Sequence, residues 1–288
     1  MTATQQGSGP TVLRILLGSQ LRRLREASGI TREDAGYEIR ASESKISRLE
    51  LGKVSFKERD VADLLTLYGV DGETEQGPLL ELARGANKRG WWHSYNDILP
   101  SWFESYVGLE EAAERIRTYE VQFVPGLLQT DDYARAVAAS GHPDTSQAEI
   151  ERKVSLRGKR QQLLPSANAP LLWAVVDEAA LRRPIGGTDV MRHQLEYLIE
   201  MGKLSNVILQ VMPFRLGGHA AECGAFTVMR FPESDLPDVV YVEQLTSALY
   251  LDTRRDVDLY TQAMERLCVD AATPERSVEL IQSIAADM

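Results

Sequence analysis

Two short amphipathic runs stand head to tail between Thr31 and Gly52, and each is opened by a residue that favours a helix N-cap. Thr31 opens the first. Asp34 follows three residues on, a spacing close to a capping box. Ala35 and Ile39 share one face, and the run stops near Ile39-Arg40-Ala41. Ser42 opens the second, in which Ile46 and Leu49 stand at i, i+3 and face a core. Gly52 ends it. A longer stripe precedes the pair: Leu17, Leu21 and Leu24 over about Leu16 to Ala27, stopped by Ser28-Gly29, with Gly29 a good C′ residue. Another follows it, with Val61, Leu64, Leu65 and Tyr68 over about Glu58 to Tyr68, stopped at Gly69.

Two short helices joined by a three- or four-residue turn form a helix-turn-helix, whose second helix fits the DNA major groove. Here that helix is Ser42 to Leu51. Its N-terminal half offers Ser42, Glu43, Ser44, Lys45, Ser47 and Arg48, short polar groups and long cations able to hydrogen-bond base edges and phosphates. Ser42 is a cap first and a phosphate contact second. Glu50 is expected to pair with a nearby basic side chain rather than to touch DNA. Arg22, Arg23 and Arg25 lie off the leucine stripe, either as a solvated face or as further DNA contacts.

These strings resemble the Xre and lambda-Cro-like helix-turn-helix family. The resemblance rests on Leu21-Arg22-Arg23-Leu24-Arg25-Glu26, on Gly29-Ile30-Thr31-Arg32-Glu33-Asp34-Ala35, and most specifically on Ile46-Ser47-Arg48-Leu49-Glu50-Leu51-Gly52-Lys53. It implies a backbone-holding role for Arg32, where the family usually has Gln, and adds Lys53 to the DNA-facing residues. Two departures matter. Arg40 stands where the turn usually has Gly, at a cost of about 1 kcal/mol if the backbone there is left-handed. Gly36 replaces a usual Ala, which weakens an isolated helix by up to about 1 kcal/mol.

The net charge of −10 argues mildly against a nucleic-acid binder, but the distribution is uneven. Residues 1–70 carry eleven Lys or Arg and nine Asp or Glu, so the acidity belongs to the remainder. An acidic body joined to a basic module limits non-specific adhesion to phosphate. At 43% hydrophobic and 26% charged residues, the composition excludes a disordered chain or a fibre.

The segmentation predicted is a flexible tail over 1–11, the helix-turn-helix domain over 12–70, a linker with a connecting helix over 71–90, and a regulatory or partner-binding domain over 91–288. Asp71 to Pro78 is rich in turn and acidic residues, and the connecting helix is placed at Pro78 to Ala86. Helices are predicted over Leu109–Tyr119, from Thr130 through Ala136, and over Ser146–Leu164, Asp189–Met201, Asp256–Leu267 and Pro274–Ile284. Thr273-Pro274 is a sound helix start. Val121-Gln122-Phe123-Val124 alternates before a Pro125-Gly126 turn. Strands are predicted at Leu171–Val176, Val207–Val211, Ala225–Phe231, Val239–Val242 and Ala248–Leu251. The fold class is therefore α+β: an all-α helix-turn-helix domain of four to five helices, then a larger α+β domain with a mainly antiparallel sheet.

This second portion also looks familiar. Gly90-Trp91-Trp92, Tyr106-Val107-Gly108-Leu109-Glu110, Ile116-Arg117-Thr118-Tyr119-Glu120 and Val124 to Arg135 resemble a group of actinobacterial regulators, WhiJ-like or of the Scr1 antitoxin-like type. The resemblance implies a small partner protein, encoded nearby, that acts with the regulator. Trp91, Trp92, Tyr95, Trp102, Phe103 and Tyr106 form an aromatic stretch with two readings. It is either core, or a surface for a partner or flat ligand.

No reaction is legible. The chain has no G-x-x-x-x-G-K-[ST], G-x-G-x-x-G, H-E-x-x-H or G-x-S-x-G string. His93, His142, His193 and His219 are scattered, and Cys223 and Cys268 belong to no C-x-x-C pair. No catalytic residue, metal site or cofactor is expected. There is no secretory signal and no apolar run near the 20 residues a bilayer span needs, so cytoplasmic placement is expected. The sequence thus points to a homodimeric transcription regulator on double-stranded palindromic DNA, controlled through its large domain by a small partner. Two other readings stay open: an antitoxin-like protein that chiefly sequesters its partner, and a regulator with a small-molecule pocket.

Overall fold

The computed structural model describes residues 9–70, 72–141, 145–222, 224–233 and 236–288. His142, Cys223 and the first eight residues of the expected tail lie outside the described residues. Two compact units result. One runs through Ser94 and adds Val107–Ala112 and Glu233–Leu236; the other holds Tyr95–Tyr106, Ala113–Pro232 and Pro237–Met288.

The first unit is helical: α1 Pro10–Ala27, α2 Arg32–Glu38, α3 Glu43–Glu50, α4 Glu58–Leu67 and α5 Glu73–Ala86. Both predicted caps form. Thr31 Oγ1 accepts from the Asp34 N–H at 3.1 Å and Ser42 Oγ from the Lys45 N–H at 3.2 Å, satisfying donors that a helix start leaves orphaned. Leu17, Leu21, Ala35, Ile39, Ile46, Leu49 and Leu64 meet in one core. Gly29 and Gly52 close α1 and α3 with φ of +68° and +63°.

Four expectations change here. Pro10 and Thr11, placed in the tail, open α1, with Pro10 in the first turn where its missing N–H costs nothing. The connecting helix starts at Glu73 rather than Pro78, because Gln76 Nε2 donates to the Val70 carbonyl at 2.6 Å and anchors a turn ahead of the proline. That helix is no mere linker: Ala83 and Ala86 are buried in the same core, so α5 is a fifth helix of the unit. Gly36 is not a simple weakness. A Cβ there would lie 2.8 Å from the Ala41 carbonyl oxygen, so its absence lets the turn fold back onto α2.

Arg40 is the one non-glycine residue with positive φ, +53°, among the described residues. The left-handed backbone suspected from the sequence is present. Arg40→Gly is expected to stabilise the unit by about 1 kcal/mol. Thermal unfolding of the full chain checks this, and an unchanged or lower melting temperature would count against strain at the turn.

The second unit is built on a six-stranded sheet in the order β3-β2-β1-β4-β5-β6. The strands are β1 Arg115–Glu120, β2 Leu171–Asp177, β3 Val207–Met212, β4 Phe226–Arg230, β5 Val239–Glu243 and β6 Ala248–Leu251. The β1–β2 and β2–β3 pairings are parallel, and the other three are antiparallel. The domain is α+β, with a mixed sheet that is mostly antiparallel. Its helices are α7 Asp131–Gly141, α8 Gln147–Gln161, α9 Glu178–Arg182, α10 Thr188–Met201, α11 Arg254–Asp270 and α12 Pro274–Ala286. Met264 and Leu267 of α11 pack with Tyr119, Val175, Phe226 and Val240 on one face of the sheet.

The predicted helix over Leu109–Tyr119 is a correction. Helix α6, Ser101–Ala112, ends first, and the chain continues as strand β1. Local propensity favours helix through Glu114, but Ile116, Thr118 and Tyr119 suit a pleated strand. Pairing on both edges, with β2 and with β4, decides the outcome. The alternating Val121–Val124 segment adopts no regular strand and follows β1 as irregular chain.

Candidate nucleic-acid interface

The α2–turn–α3 element sets the geometry. Ile46 and Leu49 are buried, which fixes the face of α3 that remains in solvent. Ser42, Glu43, Ser44 and Arg48 are exposed on that outer side, with Lys53 just beyond the helix. Ser47 and Lys45 are half-buried. Arg48 Nε donates to the Ser44 carbonyl at 3.3 Å, so its guanidinium stays on the exposed surface of the helix. Seven of the sequence candidates thus sit on or beside one short helix.

Two cations are already engaged. Lys45 Nζ lies 2.9 Å from Asp60 Oδ2 of α4, so a DNA phosphate must compete with that carboxylate. Arg32 Nε donates to Glu50 Oε2 at 2.9 Å, with about a third of its side chain exposed. The expected pairing of Glu50 therefore forms, and it is double. Arg25 Nε donates to Glu50 Oε1, and Arg25 Nη1 also donates to the Ile30 carbonyl at 2.9 Å. Glu50 is 2% exposed at its side chain and Arg25 9%, so this is a buried ion pair with a half-buried third member. The Glu50 carboxylate raises the Arg25 guanidinium above its ordinary value. Burial first, then the Glu50 charge, pushes the neighbouring Tyr68 phenol up to about 12.

Arg25 corrects the sequence reading. It continues the i, i+4 row of Leu17 and Leu21 and points inward rather than into solvent. Arg22 is surface-exposed and pairs with Glu26 at 2.9 Å, and Arg23 contacts Gln20. Tyr37 was missed. It is 87% exposed at the end of α2, and with Arg40 and Ser42 it rims a shallow hollow beside the start of α3. The available signal was its position between Ala35 and Ile39, opposite the buried face.

The aromatic stretch is divided between the units. Trp91 and Trp92 belong to the first, with ring centroids 5.9 Å apart. Trp92 is 1% exposed, so it is core rather than a recognition surface, while Trp91 Nε1 donates to Glu111 Oε1 at 3.2 Å. In the second unit Tyr95 is likewise buried, its hydroxyl 3.0 Å from Ser155 Oγ. Trp102 and Phe103 stay partly exposed, and Phe103 stacks on Tyr106 at 5.2 Å.

His219 is the one histidine of the described residues that this structure places in a polar cluster with Tyr119 and Asp177. Its Nε2 is 2.9 Å from the Tyr119 hydroxyl, which donates to Asp177 Oδ2 at 3.2 Å, and the Ala221 N–H donates to Nδ1 at 3.3 Å. These bonds fasten the Gly217-Gly218 loop to the sheet. Among the described residues no group of three His, Cys, Asp or Glu is placed to hold a metal ion. Burial pushes the Cys268 thiol up to about 11, away from a reactive thiolate. No helix among the described residues is long and apolar enough to cross a membrane.

A family model described as a helix-turn-helix domain, HTH_31, matches residues 16–76, which take in most of α1, all of α2 to α4 and the start of α5. A second, described as a domain of unknown function (DUF5753), matches residues 103–283, more than half of the chain. The chain belongs to the DUF5753 family. The match takes in most of α6 and all of the six-stranded sheet, so the sheet domain of this family member is the part whose function the family description leaves open. Neither the curated proteins nor the solved structures compared with the chain provided a match.

Proposed function

We propose that this DUF5753 chain is a sequence-specific DNA-binding transcription regulator that lays α3 in the major groove. One observation carries the reading: α3 buries Ile46 and Leu49 while holding Ser42, Glu43, Ser44 and Arg48 outward at the end of a short helix. Arg48 is the principal base reader, since a guanidinium can address guanine O6 and N7 together. Lys53 and Arg32 hold the phosphate backbone, and Tyr37 packs alongside. Lys45 contributes less, because its partner Asp60 must be displaced.

In this reading two copies pair on a palindromic operator with half-sites about 34 Å apart or a multiple of it. The DUF5753 domain controls the regulator through a small partner protein, as in the antitoxin-like group. The chain performs no catalysis, works in the cytoplasm and joins the nucleoid when bound to DNA. A cavity of about 540 Å³ in the second unit favours small-molecule control as a second reading.

Fluorescence anisotropy on the DNA upstream of its own gene tests the assignment. Arg48→Ala is expected to weaken selective binding by about 10–100-fold, and Lys45→Ala by less. Unchanged affinity in both variants, with the fold intact, would discard α3 as the reading helix.

A further inference from the structure

The second unit contains a cavity of about 540 Å³, within the range that holds small organic ligands. Every residue lining it belongs to that unit. Its floor is set by strand register. Thr118 of β1 pairs with Thr227 of β4, and Thr227 pairs with Tyr241 of β5. The Thr118 and Thr227 hydroxyls lie 3.0 Å apart, which puts this row of side chains on one face. Two residues along each strand, on the same face, come Glu120, Ala225 and Glu243. Two carboxylates therefore flank a residue whose side chain is a single methyl. A larger residue at 225 would fill the gap between them.

Helix α8 adds basic side chains. Lys153, Arg157 and Arg160 stand at i, i+4 and i+7 on α8, and all three line the cavity. Lys153 is held by Glu149 at 2.7 Å, and Arg160 lies over the rings of Phe103 and Tyr106 at 5.1 and 5.3 Å. Arg157 contacts the side-chain oxygen of Gln129, a group a ligand carboxylate can replace. A third wall is aromatic, with Tyr106 against Tyr241 at 4.4 Å between ring centroids.

We propose that this cavity binds a small zwitterion with an aromatic or apolar side chain, its ammonium between Glu120 and Glu243 and its carboxylate on Arg157. An α-amino acid has this arrangement of groups. Acidic and basic groups line the same cavity, which disfavours a ligand of one sign alone, because it would leave the other set of charges unmatched. The aromatic wall takes the side chain. The site is independent of the DNA-reading helix and is tested without DNA.

Glu120 supplies a pH signature. Burial, and then the nearby Glu243 charge, pushes its carboxyl up to about 7, against the opposing pull of Arg157, a hydrogen bond from Thr118 and the charge of Arg160. The other charged or titratable groups around it are Glu243, Tyr241, Tyr106 and Lys153 in the cavity lining, and Tyr133 of α7, which feels the Glu120 charge. An ammonium needs the ionised carboxylate, so affinity rises with pH through about 7 and falls below it.

Isothermal titration calorimetry on the full chain provides the test. L-tryptophan, L-phenylalanine and L-leucine are the zwitterionic probes; tryptamine and indole-3-propionate carry one charge each. At least one amino acid is expected to bind about tenfold or more tightly than either single-charge probe. Affinity is expected to drop about tenfold between pH 8 and pH 6. Ala225→Leu, which fills the floor without touching a charge, should abolish binding while leaving the melting temperature of the unliganded chain within a few degrees. Glu243→Gln should remove the preference for amino acids over indole-3-propionate. Absence of binding by all three amino acids, equal binding of a single-charge probe, or full affinity in folded Ala225→Leu would each overturn the proposal.

Discussion

Glu50→Ala is expected to destabilise the helical unit by about 3–5 kcal/mol, the usual consequence of removing one member of a buried ion pair. The loss is large because of what remains. Arg25, 9% exposed, would keep its charge with the Ile30 carbonyl and the exposed Glu26 as its remaining acceptors among the described residues. Arg32 would lose its link from α2 to the end of α3. Glu50 joins α1, α2 and α3 in one contact set, so its removal loosens the reading helix as well as the core. Urea unfolding of the full chain, with hydrogen exchange of α1–α3 amides to separate the two units, measures the effect. Replacing the pair together, Arg25→Met with Glu50→Leu, should recover most of the stability, because apolar packing often substitutes for a buried pair. A cost for Glu50→Ala below about 1 kcal/mol would mean that the pair behaves as a solvated surface contact.

The second large effect is expected at Trp92. Trp92→Ala should cost about 3–5 kcal/mol, as for other fully buried aromatic side chains. The ring occupies a slot walled by two glycines: a Cβ on Gly90 would lie 2.4 Å from it and one on Gly108 3.0 Å. Little can collapse into such a slot without backbone movement. Trp91→Ala, by contrast, removes a partly exposed ring whose Nε1 donates to Glu111 and should cost about 1 kcal/mol. Thermal and urea unfolding of both variants checks the pair. A cost of about 1 kcal/mol for both variants would place both rings on the surface and restore the aromatic stretch as a recognition patch.

What could be read from the sequence was what local rules decide. The caps at Thr31 and Ser42, the inward Ile46 and Leu49, and the left-handed backbone at Arg40 each depend on a few neighbouring residues. The misreadings share a physical cause, a distant partner overriding a local preference. Arg25 reads as an outward cation, on a solvated face or against DNA, because it is charged, although its position on the helix is internal; Glu50, far along the chain, makes burial tolerable. β1 lay hidden in a helix-favouring stretch until β2 and β4 closed on both of its edges. Pro78 reads as a helix start because nothing local shows Gln76 bonding back to Val70. The cavity is the extreme case. Glu120 and Glu243 become neighbours only through the register of β4, which no periodicity in either segment encodes.

The most direct test of the central claim, that α3 reads bases from the major groove, is methylation interference on DNA selected by the full chain. Methylation at guanine N7 blocks the major-groove edge, whereas methylation at adenine N3 lies in the minor groove. N7 methylation within each half-site is expected to prevent binding, with no such block by N3 methylation, and Arg48→Ala should remove the sensitivity at one guanine. Binding indifferent to N7 methylation throughout the protected site would contradict the account.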